Sequence, residues 1–459
     1  MAALFVSLSG CDDSSPREPQ SDTHAAALDT GAVDQGADRA PRPDAPIDAQ
    51  IDLGAVDGAS DAAPPVASHG TCFTESSTDT VVVKSATELE KEVNAAPAGR
   101  QILVAPGTHS GGKLVLSSSQ GTKADPVVIR PQNGPGTVTF TSPEWDVTGS
   151  RIVISKLRFT KAQITLRGQL NRLTRCRFTE ITRDAVVVNA ATDLRIDHCD
   201  FSDVSGTHNQ SPIFFNLGAV ANDLTRRVLI DYNHFHDINV QPGVNGMEIV
   251  ITSTATGAFY KDPEAVIDHC LFSNIDIGNE GEVISVKNSG TDVRFCTFVN
   301  VALYLSQRSA SENEVRSCWF EKMPSRCLNI WGDKHLVIGN RFVGNMHMRV
   351  GAGDTDWDTV LAGKPSPGGG YAAARSCRVV GNTLDSGKIE VGGYWSSSTP
   401  TVPAQNNIIE ATSPASAVAL IPGRETGTLI KATTSEKYVP AVKLTPADVG
   451  LSAADPLCK

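Results

Sequence analysis

Glu280 and Glu282 stand two positions apart at the head of a stretch that continues through Lys287, a turn at Asn288-Ser289-Gly290, a strand ending at Cys296, and a second strand through Tyr304 to Arg308. On an extended segment alternate residues share a face, so the two carboxylates point the same way and repel unless something positive sits between them. A lone Glu-x-Glu pair is ordinarily a solvated strand face. Its chemistry therefore depends on what the fold stacks against it.

The elements that must position the pair form a repeat. A short phrase, Cys-x-Phe or Asn-x-Phe, recurs at Cys176, Cys199, Asn233, Cys270, Cys296, Cys318 and Asn340, preceded by Leu157-Arg158-Phe159 and followed by a weaker Asn382-Thr383-Leu384. Self-similarity near 22 residues, with longer excursions, is the mark of a solenoid whose coils carry loop insertions. Val, Ile, Thr and Phe dominate the segments before each phrase and helical periodicity is scarce, so each coil reads as short strands joined by turns. The expected fold is an all-β, right-handed parallel β-helix, with equivalent residues of adjacent coils about 4.8 Å apart.

Counting from the phrases gives the column. Asn245, Glu282 and Arg308 each lie 12 residues after Asn233, Cys270 and Cys296 respectively, which predicts one column on three consecutive coils, with Glu280 joining it. An amide oxygen below two carboxylates is a hard-oxygen cluster suited to Ca²⁺. Arg308, one coil on, would face whatever anion the cation holds. Lys287 has odd spacing from Glu282 and reaches the same face only if the chain bends between them, a bend made plausible by the Asn288-Ser289-Gly290 turn.

Residues 1–11 end in Leu8-Ser9-Gly10-Cys11, an apolar run resembling a bacterial lipoprotein signal in which Cys11 is acylated. No other segment is long and apolar enough to cross a bilayer. A lipid-anchored, extracytoplasmic protein in the periplasm or at the cell surface is expected, meeting the membrane through that anchor alone. From residue 12 to 68 the chain is Asp, Ala, Pro and Gly, too poor in apolar surface to offset its entropy, and reads as a disordered tether. It carries a net −9 of the chain's −11, leaving the 69–459 domain near −2, with no basic run that argues for nucleic acid. Ser85-Ala86-Thr87-Glu88 is a capping-box pattern ahead of Leu89, Val93 and Ala96, and predicts a short helix over 86–96 that caps the open end of the solenoid. Such a cap prevents end-to-end association, and a monomer is expected. Gln101–Val104 and Pro126–Arg130 read as first-coil strands, 351–376 as one long loop, 379–409 as one or two more coils, and the tail from about 412 as poorly patterned.

These residues in this order resemble polysaccharide lyase family 6, which contains alginate lyases and chondroitinase B. The resemblance rests on the helix, Ile102-Leu103-Val104-Ala105-Pro106-Gly107-Thr108, Asp125-Pro126-Val127-Val128-Ile129, Asn245-Gly246-Met247-Glu248, Glu280-x-Glu282-x-x-x-x-Lys287, Arg308, and Leu328-Asn329-Ile330-Trp331-Gly332. It spans roughly 72–410. It implies Ca²⁺ held by Asn245, Glu280 and Glu282, with Lys287 as base and Arg308 as acid in β-elimination on an acidic, uronic-acid polysaccharide, alginate being favoured. Guanidinium hardly gives up its proton, so Tyr304 or water remain alternative donors, with Arg308 stabilising developing charge. Where the family commonly has Arg-His-Gly, this chain has Arg308-Ser309-Ala310, so the resemblance does not carry over the family's subsite contacts, substrate choice or rate, while the implied ligands and base are all present.

Other residues have plainer readings. Asp197-His198-Cys199 and Asp268-His269-Cys270 sit at the repeat phrase and read as stacked structural positions rather than a metal site. The phrase cysteines read as a ladder, Cys being compact and apolar, while an oxidising compartment leaves room for a bridge among Cys72, Cys327, Cys377 and Cys458. Tyr304 and Trp331 are candidates to stack on sugar rings, core packing being the alternative. Two other functions compete: a β-helix glycoside hydrolase, for which no Asp pair stands at matching offsets, and a noncatalytic acidic-glycan-binding or adhesin-like β-helix. A dermatan- or chondroitin-type substrate is the alternative within the lyase reading.

Overall fold

The computed structural model describes residues 79–118, 120–204, 211–217, 225–239, 247–253, 263–276, 281–361, 371–394, 400–411, 418–432 and 441–452. The signal and tether expected over 1–68, together with Cys72, Asn245, Glu280 and Cys458, lie outside them.

Branched and aromatic residues in short runs give three strands per coil, as in Glu282–Val286, Thr291–Arg294 and Thr297–Val301. Each pairs in parallel with its counterpart on the next coil: Ile284 with Leu305, Asp292 with Glu314, Thr297 with Trp319. The chain is a parallel β-helix with three strand faces, in the order first, second and third as just given.

The corner between second and third faces is built from non-glycine residues in the left-handed region: Lys156, Arg175, His198, Tyr232, His269, Phe295 and Ser317, with φ between 48° and 61°. That conformation costs roughly 1–2 kcal/mol per residue. Stacking offsets it, because the rings of His198, Tyr232, His269 and Phe295 lie 5.3, 4.9 and 5.0 Å apart in succession. His198 and His269 are therefore corner residues, each held by the preceding aspartate at 2.8 and 2.9 Å.

The repeat phrase lines the interior. Phe140, Phe159, Phe178, Phe201, Phe235, Phe272, Phe298, Phe320 and Phe342 stack with centroids 4.7–6.0 Å apart and planes within 21°. Beside them Cys176, Cys199, Cys270, Cys296 and Cys318 are buried free thiols. Asn replaces Cys where a side-chain oxygen is needed: Cys199 N donates to Asn233 Oδ1, and Cys318 N to Asn340 Oδ1, both at 2.8 Å. Cys327 and Cys377 are also buried and free, so the bridge allowed between them does not exist. On the second face two fully sequestered ion pairs stack, Arg172 with Asp197 and Arg195 with Asp231, each closing to 2.7 Å.

The capping helix forms over Ala86–Asn94 and buries Leu89 and Val93. Ser85 Oγ accepts from Glu88 N at 3.2 Å, while the Glu88 carboxylate reaches back to Lys84 N rather than to Ser85. The loop expected over 351–376 has more order than its Gly content suggested, with a short helix Trp357–Leu361 and a return at Tyr371. The tail also departs from expectation. Val418–Leu420 and Leu429–Ala432 add to the solenoid, and 441–452 then doubles back over the third face. There Leu444 and Val449 pack on Leu271, Leu444 N bonds Thr297 Oγ1 at 2.8 Å, Gly450 N bonds Tyr232 O at 2.7 Å, and Leu451 O accepts from Arg175 at 2.7 Å.

Candidate active site

Glu282 opens its strand on the first face and is only 4% exposed. Arg308 Nη1 donates to both of its carboxylate oxygens, at 3.3 and 3.4 Å, and the guanidinium lies 4.5 Å from the centre of the Tyr371 ring. Those distances are long for a charge-assisted pair, so the carboxylate retains accepting capacity.

The register differs from the column predicted by equal offsets. Glu282 is level with Tyr304 on the next coil and Met247 on the one before, not with Arg308. Five residues separate Asp276 from Glu282 but only two separate Val301 from Tyr304, and a count from the repeat phrase inherits the excess. Arg308 meets Glu282 instead by reaching back along the strand.

The bend that Lys287 needs lies upstream of the turn proposed for it. A bulge falls between Glu282 and Ile284, and Val283 and Ile284 are both core residues, so the alternation resets. Beyond it Ile284 and Val286 point inward, leaving Ser285 and Lys287 outward. Lys287 is one step past the Val286–Gln307 pair, as Arg308 is on the next coil, and the two charges act on each other. Burial pushes the Lys287 ammonium below the usual lysine range, the Arg308 charge pushes it further, and Glu282 opposes both. Arg308 goes the other way: burial acts to lower it, but Glu282, Tyr371 and Tyr304 together hold it above the ordinary arginine value. It is a fixed cation and a poor proton donor.

A polar file runs on from this point along the first face. Ser285, Ser306, Asn329, Arg349 and Glu390 are in register on successive coils. Ser285 Oγ, Ser306 Oγ and Asn329 Oδ1 are buried without a hydrogen bond, a costly arrangement for a surface that binds nothing. Arg349 lies 3.6 Å from Glu390, whose other oxygen is 3.2 Å from Lys388. Burial and the nearby Arg326 charge lower Arg349 to about 10, against the pull of Glu390.

Sequence reasoning missed Arg326, Arg349, Lys388 and Tyr371. The first three were legible only by extending the register of Asn329 upward, and Tyr371 returns from a loop with no repeat to count from. Trp331 needs correction as a sugar-stacking surface. It is 2% exposed, donates to Ala352 O at 3.1 Å, and packs 4.4 Å from Tyr371, which it helps to hold over Arg308. Tyr304 stays at the site, level with Glu282 and electrostatically coupled to Arg308 and Arg349.

Residues 83–385 match the family described as Chondroitinase B. The chain belongs to that family, polysaccharide lyase family 6. It is thus a polysaccharide lyase, and the fold agrees. A family 6 lyase from Pseudopedobacter saltans superposes with a TM-score of 0.62 at 18% identity, covering 82% of this chain and all (100%) of that one. A mannuronic acid specific family 6 lyase from human gut microbiota gives 0.59 at 19%, covering 78% and 91%. A family 6 alginate lyase in complex with a trisaccharide gives 0.54 at 14%, covering 80% and 87%. No curated protein matches this lyase in sequence.

Proposed function

We propose that this lyase cleaves a uronic-acid polysaccharide, alginate in preference to a dermatan-type chain, by Ca²⁺-dependent β-elimination. The observation that carries the reading is the meeting of Lys287, Arg308 and Glu282 on adjacent coils, with the amine depressed by burial and by a fixed cation.

The donor set fits a hard cation. Glu282 is a buried carboxylate only loosely held by Arg308, and the near end of the file offers the oxygens of Ser285, Ser306 and Asn329, buried without a hydrogen bond. Asn245, Glu280 and Glu282 would hold Ca²⁺, which supplies Lewis-acid neutralisation of the substrate carboxylate and so acidifies the adjacent C5 proton. Neutral Lys287 takes that proton, the C4–O4 bond breaks, and a C4–C5 double bond forms. Arg308 stabilises the charge developing on the carboxylate, and Tyr304 or water protonates the departing O4. Arg349, Arg326 and Lys388, further along the face, supply positive charge for neighbouring uronates. Alginate is favoured because the similar structures include alginate and mannuronic acid lyases. Cys11 is read as the lipidated residue of an extracytoplasmic lipoprotein, with 12–68 as its tether.

The test is ultraviolet detection of unsaturated uronate from alginate and from dermatan sulfate, each with and without a calcium-selective chelator. Chelator-sensitive absorbance from alginate supports the proposal. Absorbance from dermatan sulfate alone overturns the substrate, chelator-insensitive absorbance overturns the calcium requirement, and binding without product points to a noncatalytic glycan binder.

A further inference from the structure

Away from the first face, a second group of side chains has metal-binding chemistry of a different kind. His234 and His236 are alternate residues of the strand His234–Asn239 on the third face, and Phe235 between them is fully buried, so both imidazoles project outward. Asp200, on the coil before, is in register with His234. One ligand atom from each of the three can be chosen so that all lie within 4.8 Å of one another.

Three further observations fit a metal. His236 Nε2 sits 3.1 Å from Asp200 Oδ2 while its other nitrogen, Nδ1, is 2.7 Å from Asp237 Oδ2. A carboxylate behind a ligating imidazole is the usual device for fixing its tautomer and raising its basicity. Ser273 Oγ lies 2.9 Å from His234 Nε2 and fixes the other ring. Asp200 Oδ1 is buried and makes no hydrogen bond among the described residues, its ion pair being with Arg177 Nε at 3.2 Å. The doubled-back tail packs alongside, since a Cβ on Gly450 would sit 3.5 Å from His234 Cβ.

We propose that Asp200, His234 and His236 form a transition-metal site for Zn²⁺ or a similar borderline divalent ion, distinct from the hard-oxygen site at Glu282. Two imidazoles and one carboxylate select such an ion over Ca²⁺, and three protein ligands leave a position for water. Bound there, the ion ties two consecutive coils together beneath the tail.

The full chain, stripped with chelator and dialysed against Zn²⁺ in excess Ca²⁺, should retain one equivalent of zinc, and Co²⁺ should give visible d–d absorption without thiolate charge transfer. Zinc retention should be lost in the His234→Ala/His236→Ala double variant, with circular dichroism confirming the fold. Asp237→Asn, which leaves the three ligands in place, should weaken binding by about 10–100-fold. The proposal is overturned if the parent retains no stoichiometric zinc, if the folded double variant retains it equally well, or if cobalt spectra carry a thiolate band that places the ion on the cysteines.

Discussion

Replacing Arg308 with Met removes the cation that faces Glu282 while keeping an apolar stem against Tyr371. At 3.3 Å, two unit charges in an effective dielectric of about 20 attract by roughly 5 kcal/mol. The Arg308 side chain is 25% exposed, so solvent screens part of this, whereas Glu282 at 4% has little recourse to water. Breaking a fully buried pair costs about 3–5 kcal/mol, and a discounted cost of about 2 kcal/mol follows for this one. In a chain this long that lowers Tm by roughly 2–3 °C. A cation at Glu282 should relieve the unpaired carboxylate, so Ca²⁺ should raise the Tm of Arg308→Met more than that of the parent, in which Arg308 competes for the same oxygens. Thermal melts of both proteins in chelator and in Ca²⁺ provide the measurement. If the variant melts with the parent in chelator, Glu282 does not depend on Arg308; if Ca²⁺ stabilises the two equally, the cation and Arg308 do not compete for the Glu282 oxygens.

Lys287 acts as base only when neutral, so kcat/KM should rise with pH through an ionisation below the free-lysine range. Glu282 pulls that ionisation up, and in Glu282→Gln any residual activity should show the rise at lower pH; Arg308→Met, which removes the opposing charge, should move it higher. Unmoved profiles in both variants would mean another group is the base. Phe298, stacked 4.8 and 4.9 Å from its two neighbours, should cost about 3–5 kcal/mol as Phe298→Ala in chemical denaturation, and a cost near 1 kcal/mol would mean the ladder is not close-packed. Arg195→Met strands the buried Asp231 carboxylate and should cost a similar 3–5 kcal/mol, recovered in part by the added change Asp231→Leu; a double variant no more stable than the single one would rule out the buried charge as the cause.

The Cys/Asn-x-Phe phrase made the solenoid legible because the interior is narrow and each coil must place the same ring and the same small group in the same spot. That demand acts on residues a fixed distance apart and so leaves a periodic trace. The site obeyed a weaker rule. Glu282, Lys287 and Arg308 were recognisable by type and spacing, yet their alignment was misread, because the greater number of residues before Glu282 and the bulge after it both break the count. Tyr371 left no trace, since a loop residue that swings back to a face answers to no period. Trp331 was readable as an aromatic near the site but not as a buried one, because it is covered by Tyr371, which arrives from outside the repeat, as well as bonded to Ala352 of the next coil.

The C-terminal strap changes what kind of object this solenoid is. Coils that touch only their neighbours can fray one at a time from either end. Here a handful of late residues grip the barrel at points from 122 to 276 positions earlier in the chain, from Glu321 back to Arg175. Residues 441–452 must therefore be synthesised before the middle of the protein is buckled shut, and proteolysis that removes them should return the lyase to a stack free to unwind rung by rung.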